Sequence, residues 1–170
     1  GTERLTPPSA LAPMLFVGLG GCGCKMVARV AQHLRRRPDY DERYRPLIKF
    51  ALIDTNVNDL EAARDIADET FLISDFEKEE YSDLASGKMF LEPDDFFTQW
   101  VPPDYRFRAG DTAGAGQIRI ESRLGVFYQM KHKSFVAKFR KLLEELKSHE
   151  HGHRRLDSAE IRIVLCYSVA

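Results

Sequence analysis

Uninterrupted apolar runs divide the chain into candidate β-strands. Residues 14–18 and 47–53 are almost entirely apolar, which is typical of strands in a parallel sheet that is covered on both faces. A shorter run at residues 70–73 predicts a third strand. Residues 161–169 have the same apolar character and predict a central strand near the end of the chain. The more polar segments between these runs then contain the helices and turns.

Apolar residues recur at helical spacing in those intervening segments. Residues 22–36 carry an apolar stripe that predicts a helix directly after the first strand. Asn58 or Asp59 is predicted to cap a short helix that continues to about residue 68. Two further helices are predicted at residues 118–131 and 134–148.

The order of these elements predicts an α/β fold. Strands that alternate with helices favour a Rossmann-like, open, mostly parallel sheet with helices on both faces. We assign residues 14–170 to one α/β domain and residues 1–13 to a flexible leader. A central strand at the end of the chain would have nothing to cover it, so we expect the domain to be incomplete at its C-terminus.

Residues 74–111 interrupt this order with an acidic segment that is rich in aromatic side chains. The aromatic residues argue against disorder. Connections of this length within a compact domain are usually functional or are insertions with their own structure. Two interpretations stay open: a small local core over the sheet edge, or a surface that binds a protein partner.

Composition and charge limit the classes of function. The chain is 44% hydrophobic and 30% charged, as in globular proteins. Its formal net charge of -1 gives no electrostatic basis for binding nucleic acid. No apolar run is long enough to span a membrane, so no membrane association is predicted. Three cysteines cannot all pair within one chain, which favours a reducing, cytoplasmic location.

A glycine-rich turn at residues 18–24 joins the first strand to the first helix. Glycine allows backbone to approach an anion closely and to adopt a positive φ. The start of a helix adds unpaired N–H groups and a partial positive charge. This combination predicts a phosphate-binding site.

Two other turns are predicted at the same edge of the sheet. Asp54, Thr55 and Asn56 follow the second strand, and a second glycine turn occupies residues 113–117. Ligands of open α/β sheets bind outside the carboxyl ends of the strands. Three such turns at one edge favour a nucleotide site more strongly than the first turn does alone.

Several nucleotide-binding classes share parts of this pattern. A P-loop is disfavoured because Gly23 precedes Cys24 instead of the required Lys-Ser/Thr pair. An NAD-binding Rossmann unit fits Gly18, Gly20 and Gly23, with Asp54 placed to bind the ribose hydroxyls. The glycine turn and Asp54 also resemble the ATP-binding, adenylating fold of ubiquitin-activating-type enzymes, although three cysteines cannot form the four-cysteine zinc site often found there.

The chain resembles the tubulin/FtsZ superfamily along most of its length. Residues 17–21, 53–55 and 114–119 more closely resemble bacterial tubulin-like proteins. Lys25 departs from the Asn or Gln usual in FtsZ-type proteins. The superfamily's Gly-Gly-Thr-Gly-Ser-Gly phosphate loop would follow residue 170. The segments that carry the superfamily resemblance are residues 20–23, 50–60, 113–117 and 162–170.

This resemblance implies a GTPase-domain fold that binds GTP or GDP with Mg²⁺. Asp54 or Asn56 would lie near the phosphates and the metal, directly or through water, with Asp54 as the candidate metal ligand. It also implies self-assembly into cytoskeletal filaments. Hydrolysis in the family needs a carboxylate from a neighbouring subunit, so no catalytic residue is assigned and GTPase activity stays open. A non-catalytic scaffold with a degenerate nucleotide site is an alternative. The implied nucleotide-binding residues are Gly18, Gly20, Gly21, Cys22, Gly23, Cys24, Asp54, Thr55, Asn56, Ala113, Gly114, Ala115, Gly116 and Gln117.

Overall fold

The computed structural model describes residues 12–75, 80, 119–147 and 161–169. Its strands and helices follow the order predicted from the apolar pattern. A single π-helical turn, Tyr40–Tyr44, lies between the first helix and the second strand. The other elements are β1 Met14–Leu19, α1 Gly20–Arg35, β2 Ile48–Asp54, α2 Val57–Glu61, β3 Glu69–Leu72, α3 Arg119–His132, α4 Phe135–Lys147 and β4 Arg162–Cys166.

The four described strands form one parallel sheet in the order β3-β2-β1-β4. β1 is central and pairs with β2 on one side and with β4 on the other. The carbonyl of Pro13 accepts a hydrogen bond from the N–H of Arg162 at 2.8 Å, and Pro13 is fully buried. Pro13, the last residue of the predicted leader, therefore already takes part in the hydrogen bonding of the sheet.

Helices cover both faces of the sheet, as predicted. On one face α1 and α2 pack over β2, where Val27 and Phe50 are among the fully buried side chains. On the other face α4 packs over β1 and β2, with Leu146 against Leu15 and Val17. The alternation of side chains along each strand supplies both cores, which is why the strands read as continuous apolar runs.

The helix after β2 differs from its prediction in both its start and its length. Asn56, and not Asn58 or Asp59, is the N-cap: its side chain accepts a hydrogen bond from the N–H of Asn58 at 3.0 Å. The helix ends at Glu61 and does not reach residue 68. Beyond it, successive turns form through bonds to the carbonyl three residues earlier, which tighten the backbone and stop the α-helical ladder.

β4 was predicted to be a central strand, and this is wrong for the described sheet, where β4 lies at the edge. Its Ile163 and Leu165 are 50% and 55% exposed. An apolar run indicates that a strand is suited to burial, but it does not specify how many neighbours the strand has. Strand order depends on tertiary pairing, which single-strand composition does not encode.

Several predicted features lie outside the described residues. They include the glycine turn at residues 113–117 and, apart from residues 74, 75 and 80, the acidic aromatic segment at 74–111. Within the described part of the chain, no helix is long and apolar enough to cross a lipid bilayer.

Candidate functional site

The turn between β1 and α1 is unusually tight, because β1 ends at Leu19 and α1 begins at Gly20 with no residue between them. Gly20 adopts a φ of 69°, a left-handed conformation that favours glycine. Leu19, at the N-cap, makes no side-chain capping bond, and the first turn of α1 contains no acidic residue. The helix therefore presents its N-terminal N–H groups without a cap from its own sequence.

Gly18 and Gly23 are required by close backbone packing. A Cβ atom on Gly18 would lie 2.8 Å from the Cα of Cys24. A Cβ atom on Gly23 would collide with the backbone carbonyl of Cys166, at the end of β4. Both glycines are buried. They let α1 start directly against the ends of β1 and β4, and so fix the direction in which its N-terminus points.

The two cysteines of the turn occupy different environments. Cys22 is exposed in the first turn of α1. Cys24 is 2% exposed, and its Sγ lies 3.6 Å from the carbonyl oxygens of both Gly18 and Ile53. Burial, together with the nearby charge of Asp54, raises the pKa of the Cys24 thiol to about 12. Cys24 is therefore a neutral packing residue beneath the turn, and Cys22 is the one that faces outward.

Asp54, the last residue of β2, is a buried carboxylate beside this turn. It is 6% exposed, and its Oδ1 accepts hydrogen bonds from the N–H groups of Thr55 at 2.6 Å and Asn56 at 3.1 Å. Its Oδ2 is buried without any hydrogen-bond partner. Burial raises the pKa of Asp54, the charge of Asp59 raises it further, and the two backbone hydrogen bonds oppose these effects.

The unpartnered oxygen of Asp54 lies close to the glycine turn. A Cβ atom built on Gly21 would be 3.8 Å from Oδ2 of Asp54 and 3.0 Å from Oδ2 of Asp59. The register of the sheet explains this arrangement, because Leu19 at the end of β1 pairs directly with Ile53, the neighbour of Asp54. The predicted meeting of the first two turns at one sheet edge is confirmed.

Sequence reasoning missed Asp59 as a site residue and considered it only as a helix cap. Asp59 is partly buried and belongs to the first turn of α2. Its position in the first helical turn after the carboxyl end of β2 could have marked it as a site residue. Its approach to Gly21 depends on how α2 packs against α1, and local sequence does not show that packing.

Thr55 and Asn56 lie at the predicted edge, and each makes hydrogen bonds that support the local backbone. The carbonyl of Thr55 accepts a hydrogen bond from the hydroxyl of Ser74 at 2.7 Å. The Asn56 side chain caps α2. These contacts fix the backbone after Asp54, so both residues support the shape of the site in this structure.

A cavity of about 240 Å³ adjoins the site between α1 and the turns after α2. Lys25, Arg29 and Asp59 are among its lining residues. Lys25 is exposed, and no ion pair joins it to Asp59 among the described residues. No group of three or more potential metal-ligating His, Cys, Asp or Glu side chains occurs among the described residues.

A parallel sheet with helices on both faces, and a glycine turn that leads from its central strand into an uncapped helix, define a Rossmann-like α/β protein. A family model described as "Tubulin like" matches residues 15–170, and the chain belongs to this tubulin-like family. No curated protein and no solved structure matches the chain. The match to the family model confirms the resemblance to the tubulin superfamily inferred from the sequence.

Proposed function

We propose that this chain binds a guanine nucleotide at the β1–α1 turn and assembles with copies of itself in a GTP-dependent manner. Membership of the tubulin-like family supports the class of ligand and the self-assembly. The observation that carries the site is the uncapped N-terminus of α1 beside the unpartnered, buried Oδ2 of Asp54.

The phosphate groups of the nucleotide bind at the start of α1. Backbone N–H groups between Gly20 and Cys24 supply the donors, and the helix dipole favours the negative charge. Cys22 is exposed in the first turn of the same helix. Gly18 and Gly23 act indirectly, because their contacts with Cys24 and Cys166 hold the turn in place.

Asp54 fits the Mg²⁺ ion that commonly accompanies nucleoside phosphates. Mg²⁺ retains several waters and is usually held by one or two carboxylates together with substrate phosphates. The orphaned Oδ2 of Asp54 is an oxygen acceptor beside the phosphate-binding helix end, and burial of an unpartnered acceptor is costly. A bound cation would supply charge neutralisation between this carboxylate and the phosphates.

The remaining parts of the proposal concern hydrolysis, the second glycine turn and location. No described residue is assigned a catalytic role, because the family's water-orienting carboxylate comes from a neighbouring subunit. Residues 113–117 are proposed to respond to the γ-phosphate, and they lie outside the described residues. We propose that the protein forms filaments of a bacterial type in the cytoplasm. Residues 74–111 are proposed as a surface that binds a protein partner.

Isothermal titration calorimetry tests the ligand. We expect GTP and GDP to bind in the presence of Mg²⁺ with higher affinity than ATP or NAD, and the isolated chain to show little GTP turnover. Preferential binding of NAD would support a ribose-binding role for Asp54 in a dinucleotide site, and preferential binding of ATP would support the adenylating class. Rapid turnover by the monomer would contradict the requirement for a neighbouring subunit.

Sedimentation tests assembly separately. We expect GTP to increase the sedimenting fraction relative to GDP when the chain is tested together with the C-terminal part of the family's domain. Sedimentation that does not depend on nucleotide would favour a scaffold with a degenerate site. Nucleotide binding without any sedimentation would support the binding site and contradict the proposed self-assembly.

A further inference from the structure

Asp59 brings a second carboxylate to the glycine turn. It comes from α2, whose start is fixed by the Asn56 cap and whose inner face is anchored by Leu60, which is 4% exposed. The Oδ2 of Asp59 lies 3.0 Å from the position that a Gly21 Cβ would occupy, and the Oδ2 of Asp54 lies 3.8 Å from the same point. Two carboxylate oxygens from different elements therefore converge beside the N-terminus of α1.

No ion pair joins either oxygen to a cation among the described residues. The Asp59 side chain forms no hydrogen bond or ion pair with another described residue, although Lys25 and Arg29 line the same cavity. The Oδ2 of Asp54 has no hydrogen-bond partner and is shielded from solvent. Like charges in such proximity repel each other, and they also repel a phosphate that approaches the same helix end.

A divalent cation resolves this conflict better than a sugar hydroxyl does. One hydroxyl can satisfy a single acceptor but leaves both negative charges in place. A divalent cation neutralises both carboxylates and then attracts the phosphates. Mg²⁺ accepts this mixed set of one or two carboxylates, waters and phosphate oxygens.

We infer that Asp59 is the second carboxylate of a divalent-cation site shared with Asp54, and that it makes phosphate binding at α1 conditional on that cation. The inference rests on the proposed nucleotide site and assigns Asp59 a function there. Without the cation, Asp59 disfavours a nucleotide phosphate. With the cation bound, Asp59 helps to hold the metal complex.

The first experiment measures cation binding without any nucleotide. Mn²⁺ is titrated into the chain, and free Mn²⁺ is followed by electron paramagnetic resonance. We expect one bound Mn²⁺ per chain, with affinity lowered at least about tenfold by Asp59→Asn, because affinity for hard cations depends on the number of charged ligands. Asp65→Asn is the matched control, since it removes the same charge from an exposed position next to the same helix.

Equal Mn²⁺ affinity in wild type and Asp59→Asn would overturn the inference, as would an equal loss in Asp65→Asn. Thermal unfolding in EDTA checks the variant itself. Asp59 also interacts favourably with the N-terminus of α2, so the repulsion is isolated by comparing backgrounds. We expect Asp59→Asn to change the melting temperature in EDTA more favourably in wild type than in Asp54→Asn, and equal changes in both backgrounds would contradict the repulsion on which the inference depends.

The second experiment measures GDP binding with Mg²⁺ and with EDTA. The wild-type affinity should fall in EDTA, and Asp59→Asn should bind GDP more tightly than wild type under that condition. The ratio between the two conditions should shrink about tenfold in the variant. A ratio unchanged by Asp59→Asn would overturn the coupling. Retained Mn²⁺ binding with no GDP binding would support the cation site and refute the proposed nucleotide function.

Discussion

Replacing Gly23 by alanine should damage the fold of the site, whereas the same change at Gly21 should not. A Cβ atom on Gly23 would collide with the carbonyl of Cys166, lying 2.9 Å from its carbonyl carbon and 3.3 Å from the Cα of Tyr167. All of these are backbone atoms, so α1 and β4 must separate. At Gly21, the nearest atom is the terminal carboxylate oxygen of Asp59, which can rotate away.

The magnitude follows from these contacts. Overpacking against rigid backbone costs about 1–3 kcal/mol, and replacing glycine by alanine within a helix returns about 0.5–1 kcal/mol. Because the Gly23 contacts are with rigid backbone, we take the upper part of the difference and expect Gly23→Ala to lower the free energy of unfolding by about 1–2 kcal/mol, equivalent to a fall in melting temperature of about 2–8 °C for a domain of this size. Gly21→Ala should remain within about 0.5 kcal/mol of wild type.

Urea unfolding followed by circular dichroism measures the difference. A lower midpoint with an unchanged slope would report a loss of stability in the native state. Gly21→Ala should keep the wild-type midpoint while weakening nucleotide binding, because its methyl group would lie beside Asp54 and Asp59. If Gly23→Ala unfolds at the wild-type midpoint, the close packing of α1 against β4 is refuted.

Three further predictions concern individual side chains. Folding raises the pKa of Asp54 above its ordinary value of 3.8, so the protonated side chain stabilises the fold fully below pH 3.8, and this stabilisation is lost as pH rises through the folded-state pKa. Urea unfolding at a series of pH values should show this loss of unfolding free energy in wild type and not in Asp54→Asn. Identical pH profiles for the two proteins would contradict the raised pKa. Native-state alkylation followed by mass spectrometry should modify Cys22 and spare Cys24, whose thiol has a pKa of about 12, and equal labelling of both would refute the burial of Cys24. Asn56→Ala should cost about 1 kcal/mol of unfolding free energy through loss of the α2 cap, and the exposed Asn58→Ala serves as the control; equal effects would argue against the cap.

The apolar pattern predicted the layers of the fold because each strand supplies side chains to two cores. Phe50 faces the core under α1, whereas its neighbour Ala51 faces the core under α4, so β2 had to read as an uninterrupted apolar run. Helical spacing likewise located α1 and α4, whose inner faces are buried. These features are encoded locally and can be read from a single segment at a time.

Features that depend on contacts between segments could not be read in this way. The edge position of β4 results from which strands pair, and its apolar sequence is equally suited to a centre or an edge. The early end of α2 results from turns that bond three residues back. Asp59 reaches Gly21 only because α2 lies against the start of α1, so the sequence identified Asp54 as a site residue but not its companion.

The contact between Gly23 and β4 also means that the site is completed only after β4 has joined the sheet. Met14 pairs with Ile48 on one side of β1 and with Arg162, far along the chain, on the other. Joining β4 closes the longest loop in the described sheet, and distant pairings of this kind are the slow ones in folding. A chain emerging from the ribosome presents the β1–α1 turn and Asp54 long before β4. The glycine turn thus gains its contact with the carbonyl of Cys166 only when β4, the last of the described strands to be synthesised, has formed.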